Sequence, residues 1–239
     1  MRHTFHVLTA SIVIALTAPM VHAGDTHSVG SGNEVAQIRG ILDNLTQDNA
    51  VYVKSHKPAY FQDMIAGQHP RATIITCSDS RVHTHALDKT PDGDLFMIRN
   101  IGNQLATAEG SVEYGVRHLH TPVLMIIGHA SCGAVKAAMG GYEDIEPAIK
   151  KELDSLHVLG KNAKDNMEVM NSVESNVHDQ VKAATQKFEP EIKSGKLMVL
   201  GAVYDFRNDY KQGNGRLVLV DVNGEKDPAK IKAATQFKD

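Results

Sequence analysis

Tryptophan is absent from these 239 residues, cysteine occurs twice, and Phe and Tyr contribute six each. Two sulfurs are too few for a disulfide-built scaffold, so the fold has to rest on a hydrophobic core. No third Cys is present to complete a structural zinc site of the usual four-ligand kind. Basic charge is not in excess: 25 Lys and Arg face 28 Asp and Glu, a formal charge of -3, with no basic run. That leaves no electrostatic footprint for nucleic acid. After residue 23 no segment is apolar enough to span a bilayer. Internal repeats and low-complexity stretches are missing as well. What remains, with 42% hydrophobic residues, is enough for one sizeable core and one compact domain with appendages.

Met1 to Ala23 reads as a secretory signal peptide, with Arg2 as the positive start, Val7 to Thr17 as the apolar run, and Val21-His22-Ala23 before a cut. An uncleaved N-terminal anchor is the alternative. Export places the protein in the periplasm, or outside the cell if the source has one membrane. Residues 24–32 then form a flexible N-terminus, 33–222 the folded domain with a helical arm at 33–66, and 223–239 a tail. In an exported protein two cysteines ordinarily suggest one disulfide, and that reading competes with the chemistry below.

From Glu34 the apolar residues Val35, Ile38, Ile41, Leu42 and Leu45 recur at helical spacing, with Asn33 as a candidate cap. This amphipathic helix needs a surface to cover. A second short helix is expected over Pro58 to Ala66. Ala72 to Cys77, Leu95 to Arg99 and Val123 to Ile127 are short apolar runs bounded by turn signals, and read as buried strands. A helix is expected from about Ala106 to Leu119, and Gly128 to Lys136 looks like a strand-to-helix turn. Strand, helix, strand in this order implies parallel pairing through right-handed crossovers. Residues 145–188 are helical in pattern with a break near Gly160. Lys196 to Val203 and Leu217 to Val222 read as a hairpin-like edge, and the tail as a short surface helix or disordered. The fold class is therefore α/β: a mainly parallel central sheet flanked by helices, with an N-terminal helical arm and an antiparallel edge strand.

Chemistry gathers at two strand ends. Cys77-Ser78-Asp79-Ser80-Arg81 follows the first strand directly, and His129-Ala130-Ser131-Cys132-Gly133 follows the third. Ligands in open α/β sheets bind outside the carboxyl ends of strands. Two thiolates and one imidazole converging there suit zinc, and three firm ligands without a fourth suit a catalytic metal with an open position. A buried Cys followed by a polar turn is the bland alternative for either motif alone.

Together the two motifs closely resemble the paired signature of the β-class carbonic anhydrases, zinc enzymes that interconvert carbon dioxide and bicarbonate. The match continues in Gly93-Asp94-Leu95-Phe96, Ile98-Arg99-Asn100, Val112-Glu113-Tyr114 and Gly201-Ala202-Val203-Tyr204-Asp205. The resemblance implies Zn2+ on Cys77, His129 and Cys132, and hydration of carbon dioxide to bicarbonate and a proton by zinc-bound hydroxide. It implies Asp79 and Arg81 as the catalytic pair, Asp79 accepting a hydrogen bond from the bound water while Arg81 holds it off the metal. It also implies a substrate pocket lined by Gln68, Phe96, Ile101 and Tyr114, with Gln68 reaching across a subunit boundary in a homodimer or larger assembly. The backbone N–H of Gly133 is a candidate contact for a product oxygen. Members with a regulatory bicarbonate pocket commonly carry Trp three residues before the first zinc Cys. Ile74 stands there, which favours an open site, although Arg99 of that pocket is present. His118 shares a helix face with Tyr114 and reads as a surface residue, though resemblance to some members suggests a proton relay. The alternatives are a carbon disulfide or carbonyl sulfide hydrolase on the same metal ligands, and a non-catalytic zinc- or disulfide-stabilised binding protein.

Overall fold

The computed structural model describes residues 34–233. The signal segment, the stretch 24–32, the candidate cap Asn33 and residues 234–239 lie outside the described residues. Contacts divide the chain into two units, one ending at Phe61 and the other beginning at Gln62. The first holds helix α1 (Glu34–Ser55) and the start of α2 (Pro58–Ile65). In α1 the apolar residues Val35, Ile38, Ile41, Leu42 and Leu45 are all exposed. Its end is tied to α2 by aromatic contacts, with the Tyr52 and His56 rings 4.3 Å apart and the Tyr52 and Tyr60 hydroxyls at 3.0 Å.

The second unit is built on a five-stranded sheet. β1 (Ala72–Cys77) is buried along its whole length, as expected of a β-branched run with a layer on each face. β2 (Leu95–Asn100), β3 (Val123–His129) and β4 (Met198–Asp205) run parallel to it, and β5 (Arg216–Val222) closes the edge antiparallel to β4. The strand order is β2-β1-β3-β4-β5. The chain leaves β1 toward β2, then passes back to the other side of β1 for β3. Cys77 and His129 therefore end neighbouring strands at the point where the winding reverses, where a crevice opens in this kind of sheet.

The segment expected as one helix from Ala106 to Leu119 is broken. A 3-10 turn at Ala106–Ala108 leads into α3 (Glu109–Glu113), which widens into a π turn over Tyr114–His118. The cause is tertiary. Gly115 lies so close to β1 that a Cβ there would stand 2.2 Å from Thr73 Oγ1. The Gly115 carbonyl accepts from both the backbone N–H and the hydroxyl of Thr121, each at 3.2 Å. An outside donor of this kind opens the helical ladder.

The helical region 145–188 resolves into α5 (Pro147–Leu153) and the long α6 (Asn166–Lys187), with α4 (Gly133–Gly140) preceding both. Asp165 caps α6 by accepting from the N–H groups of Met167 and Glu168 at 2.8 and 2.9 Å, while Glu168 reaches back to Lys164 N at 2.7 Å. Its buried stripe, Val169, Val173, Val177 and Val181, packs on β3 and β4. The approach is close because Gly128 and Gly201 face it. A Cβ on either would come within 2.8 Å of a Val177 methyl. Two short helices, α7 (Glu189–Lys193) and α8 (Pro228–Ala233), complete the unit, α8 burying Ile231.

A buried polar link joins α6 to the edge strand. His178 donates through Nδ1 to the fully buried Asp221 carboxylate at 2.9 Å, and its Nε2 lies 3.5 Å from Glu174, which also accepts the Tyr210 hydroxyl. Burial lowers the His178 pKa, but the bonds to Asp221 and Glu174 outweigh it and Lys226, so the net shift is upward. A His raised in the fold contributes stability that is complete below its ordinary value of about 6.5 and is lost as pH rises through the higher native value. His178→Gln is therefore expected to cost about 1.5 kcal/mol, some 4 °C in Tm, near pH 6. Thermal unfolding of both proteins from about pH 6 to pH 9 checks this, and the gap should narrow toward the alkaline end.

Candidate metal centre

Cys77, His129 and Cys132 meet at the carboxyl edge of the sheet, all buried, with their ligand atoms within 4.8 Å of one another. Cys77 is the last residue of β1 and His129 the last of β3. Cys132 is returned to them by a tight turn in which Ser131 takes a left-handed conformation, φ 56°. It then stands at the N-cap of α4, so that its sulfur lies beside the first N–H groups of that helix. Both cysteines are free thiols, not a disulfide.

The donor set is prepared for a cation. His129 Nδ1 lies 3.0 Å from the carbonyl of Ala130, which fixes that nitrogen as the donor and leaves Nε2 with its lone pair. Nε2 is fully buried and has no hydrogen-bond partner. A buried, unpaired imidazole nitrogen facing two sulfurs is costly unless an ion takes its lone pair. The two sulfurs form one acid pair. The bond from the Cys132 thiol, opposed by burial and helped by the N–H groups of Gly102 and Asp79, draws the pKa of Cys77 down. The same bond, burial and the Cys77 charge push Cys132 up. The downward pull on Cys77 favours the thiolate form that binds a soft or borderline cation.

Asp79 and Arg81 stand beside this group. Arg81 donates through Nε to Oδ1 at 2.8 Å and through Nη2 to Oδ2 at 2.7 Å, and its backbone N–H adds a third bond at 3.0 Å. The guanidinium holds the carboxyl well below the usual carboxylate range, against partial burial. The Asp79 Oδ2 lies 3.8 Å from His129 Nε2. Arg81 Nη2 also donates to the Ser131 carbonyl at 3.2 Å, which ties the first motif to the second.

Arg99 anchors the turn. It donates to the carbonyls of Cys77 at 3.2 Å and Asp79 at 2.7 Å, so it clamps the backbone that carries both. The remaining candidates are only partly gathered. Phe96 and Tyr114 pair with ring centroids 5.9 Å apart, and Tyr114 stacks on the exposed His118 at 5.6 Å. Ile101 is half-buried, Tyr114 is 47% exposed, and Gln68 lies exposed in the connection before β1. Gly133 opens α4 at the surface. Sequence reasoning missed the Ala130 carbonyl and Phe206. The signal for Phe206 was available: it follows β4, whose Tyr204 is in register with His129.

A mostly parallel sheet whose carboxyl edge carries a buried Cys-His-Cys group, with a carboxylate and guanidinium pair at its rim, belongs to the α/β proteins built around a metal site. Comparison with known proteins narrows the class. The family profile described as "Carbonic anhydrase" matches residues 72–211. The chain is 31% identical over 170 residues to carbonic anhydrase 2 of Mycobacterium tuberculosis, covering 66% of this chain and 78% of that protein. The structure is similar to that of the β-carbonic anhydrase CafA of Aspergillus fumigatus, with TM-score 0.58, 28% identity, and coverage of 85% and 99% of the two chains. It shares its fold with one of two tetrameric β-carbonic anhydrases from Sordaria macrospora, at TM-score 0.63 and 23% identity over 76% of this chain and 97% of that one. The chain belongs to the β-carbonic anhydrase family. Its enzyme class is accordingly that of the carbonic anhydrases, which are lyases.

Proposed function

We propose that the chain hydrates carbon dioxide reversibly, with Cys77, His129 and Cys132 holding Zn2+. The observation that carries this is the buried Nε2 of His129, unpaired and facing two sulfurs. A zinc ion in that position supplies a nucleophile from water near neutral pH. Asp79, with both carboxylate oxygens engaged by Arg81, accepts a proton-bearing hydrogen bond at the metal side without becoming a ligand itself. That arrangement supports the open form of the site. Phe96 and Tyr114, with Ile101, offer an apolar wall to a substrate of little polarity, and the Gly133 N–H and a Gln68 reaching across a subunit boundary contact its oxygens. Metal analysis together with stopped-flow carbon dioxide hydration on the purified protein tests the reading. One equivalent of zinc with rapid hydration supports it. Turnover of carbonyl sulfide or carbon disulfide in preference to carbon dioxide overturns it.

The working form is a homo-oligomer, at least a dimer. The exposed apolar residues of α1 support this, since Val35, Ile38, Ile41, Leu42 and Leu45, with Val51 and Val53 further along the helix, mark an interaction surface. Light scattering is expected to give at least twice the chain mass, and Ile41→Asp with Leu45→Asp to shift it toward the monomer. The protein acts after export, on the strength of Met1 to Ala23, and N-terminal sequencing of the mature chain should begin at Gly24.

A further inference from the structure

The pair formed by Asp79 and Arg81 has a weakness. The Arg81 side chain is 49% exposed, so water competes for the guanidinium that makes the bidentate bonds to Asp79. Asp79 must nevertheless keep one orientation, because its Oδ2 is within 3.8 Å of a metal ligand. Beyond the Ser131 carbonyl, a further contact that limits the swing of the guanidinium would serve this end.

Phe206 stands where that support is needed. Its ring lies under the Arg81 guanidinium, with Cζ 4.9 Å from the centroid. On another side it stacks with the His129 ring at 6.1 Å and 30°, and it meets Tyr204 edge-on at 5.7 Å. The backbone that carries the ring is fixed in turn. The buried Asp205 carboxylate accepts from Arg207 N at 3.2 Å and Tyr210 N at 2.9 Å, and the Phe206 carbonyl accepts from Asn214 at 3.1 Å. An arginine over an aromatic face gains from the ring quadrupole and loses the freedom to swing away.

We infer that Phe206 is a positioning residue for Asp79: its ring is the platform that keeps Arg81 locked on the carboxylate and so keeps that carboxylate off the metal ligands. The inference rests on the metal-centre reading above, and Phe206 touches no reacting atom. Its chemistry is specific to a π face. Leu or Met fills the same apolar space without offering one, whereas Tyr keeps it.

The test uses the zinc-loaded full chain and three variants, Phe206→Leu, Phe206→Met and Phe206→Tyr. The first readout is solvent exchange of the Arg81 Nε proton by NMR, a proton held at present on Asp79 Oδ1. The second is kcat and KM for carbon dioxide. Leu and Met are expected to speed Arg81 exchange and lower kcat by about threefold to fivefold, with KM and zinc content unchanged. Tyr is expected to restore both. Where Leu fails to fold, Met decides. Unchanged Arg81 exchange in the folded apolar variant overturns the inference, and so does loss of zinc, which would place the role of Phe206 on His129. A wild-type protein that does not hydrate carbon dioxide removes the proposed function, while the exchange result still decides what Phe206 does.

Discussion

Cys77→Ser is expected to fold, to keep about a tenth or less of the wild-type zinc, and to hydrate carbon dioxide about 10^3-fold more slowly. Serine is close in volume to cysteine, and position 77 is 5% exposed at the end of a strand whose pairing does not involve the side chain. The fold therefore has little reason to change. The metal site has every reason. The bond from the Cys132 thiol draws the pKa of the Cys77 sulfur down against burial, so the thiolate that a cation needs forms there at low cost. A serine hydroxyl stays protonated and is a hard, neutral oxygen, a poor partner for an ion that prefers sulfur and imidazole nitrogen. Circular dichroism, bound zinc and stopped-flow hydration on the same preparation check the three parts together. His129→Ala is expected to give the same pattern, because it removes the ring nitrogen that Ala130 orients. Wild-type hydration by a zinc-depleted variant would place the chemistry elsewhere.

Much of this was readable from particular residues. The β-branched runs at Ala72 to Cys77 and Val123 to Ile127 have no polar alternation, which is the pattern of strands covered on both faces, and both are central neighbours in the sheet. Because they lie side by side and parallel, the residues that follow them had to share an edge, so the Cys-His-Cys group was legible before any contact was known. What stayed hidden depends on partners distant in sequence. The break at Tyr114 follows from Thr73 and Thr121 crowding Gly115, and nothing within the segment 106–119 announces it. The link from His178 to Asp221 spans 43 residues, and Phe206, just after β4, meets Arg81, which follows β1. Periodicity describes what a segment does alone, whereas these contacts form only once the sheet order is set. Arg99 was an intermediate case. The sequence offered it as a residue of the regulatory pocket that the resemblance implies, and the structure has it binding the carbonyls of Cys77 and Asp79.

The double variant Asp79→Asn with Arg81→Ala is expected to be no slower than Asp79→Asn alone, although each single change lowers kcat/KM by about 10^2-fold. The reason lies in how the two side chains divide their work. Arg81 spends Nε and Nη2 on the Asp79 carboxylate, and its remaining contacts are the Ser131 carbonyl and the Phe206 ring. It therefore acts on the reaction through Asp79, and once the carboxylate is gone it has nothing left to position. Arg81→Ala by itself is damaging for a different cause than Asp79→Asn. The freed carboxylate loses the bonds that depress its pKa and hold its Oδ2 away from the ligand nitrogen 3.8 Å distant, and it can move in as a fourth ligand. Zinc content should be wild-type in all three variants, since neither residue belongs to the Cys-His-Cys group. The cycle separates two kinds of residue that a single substitution cannot. Losses that multiply would mean that Arg81 contacts the substrate in its own right, and a double variant no worse than Asp79→Asn means that it serves the carboxylate alone.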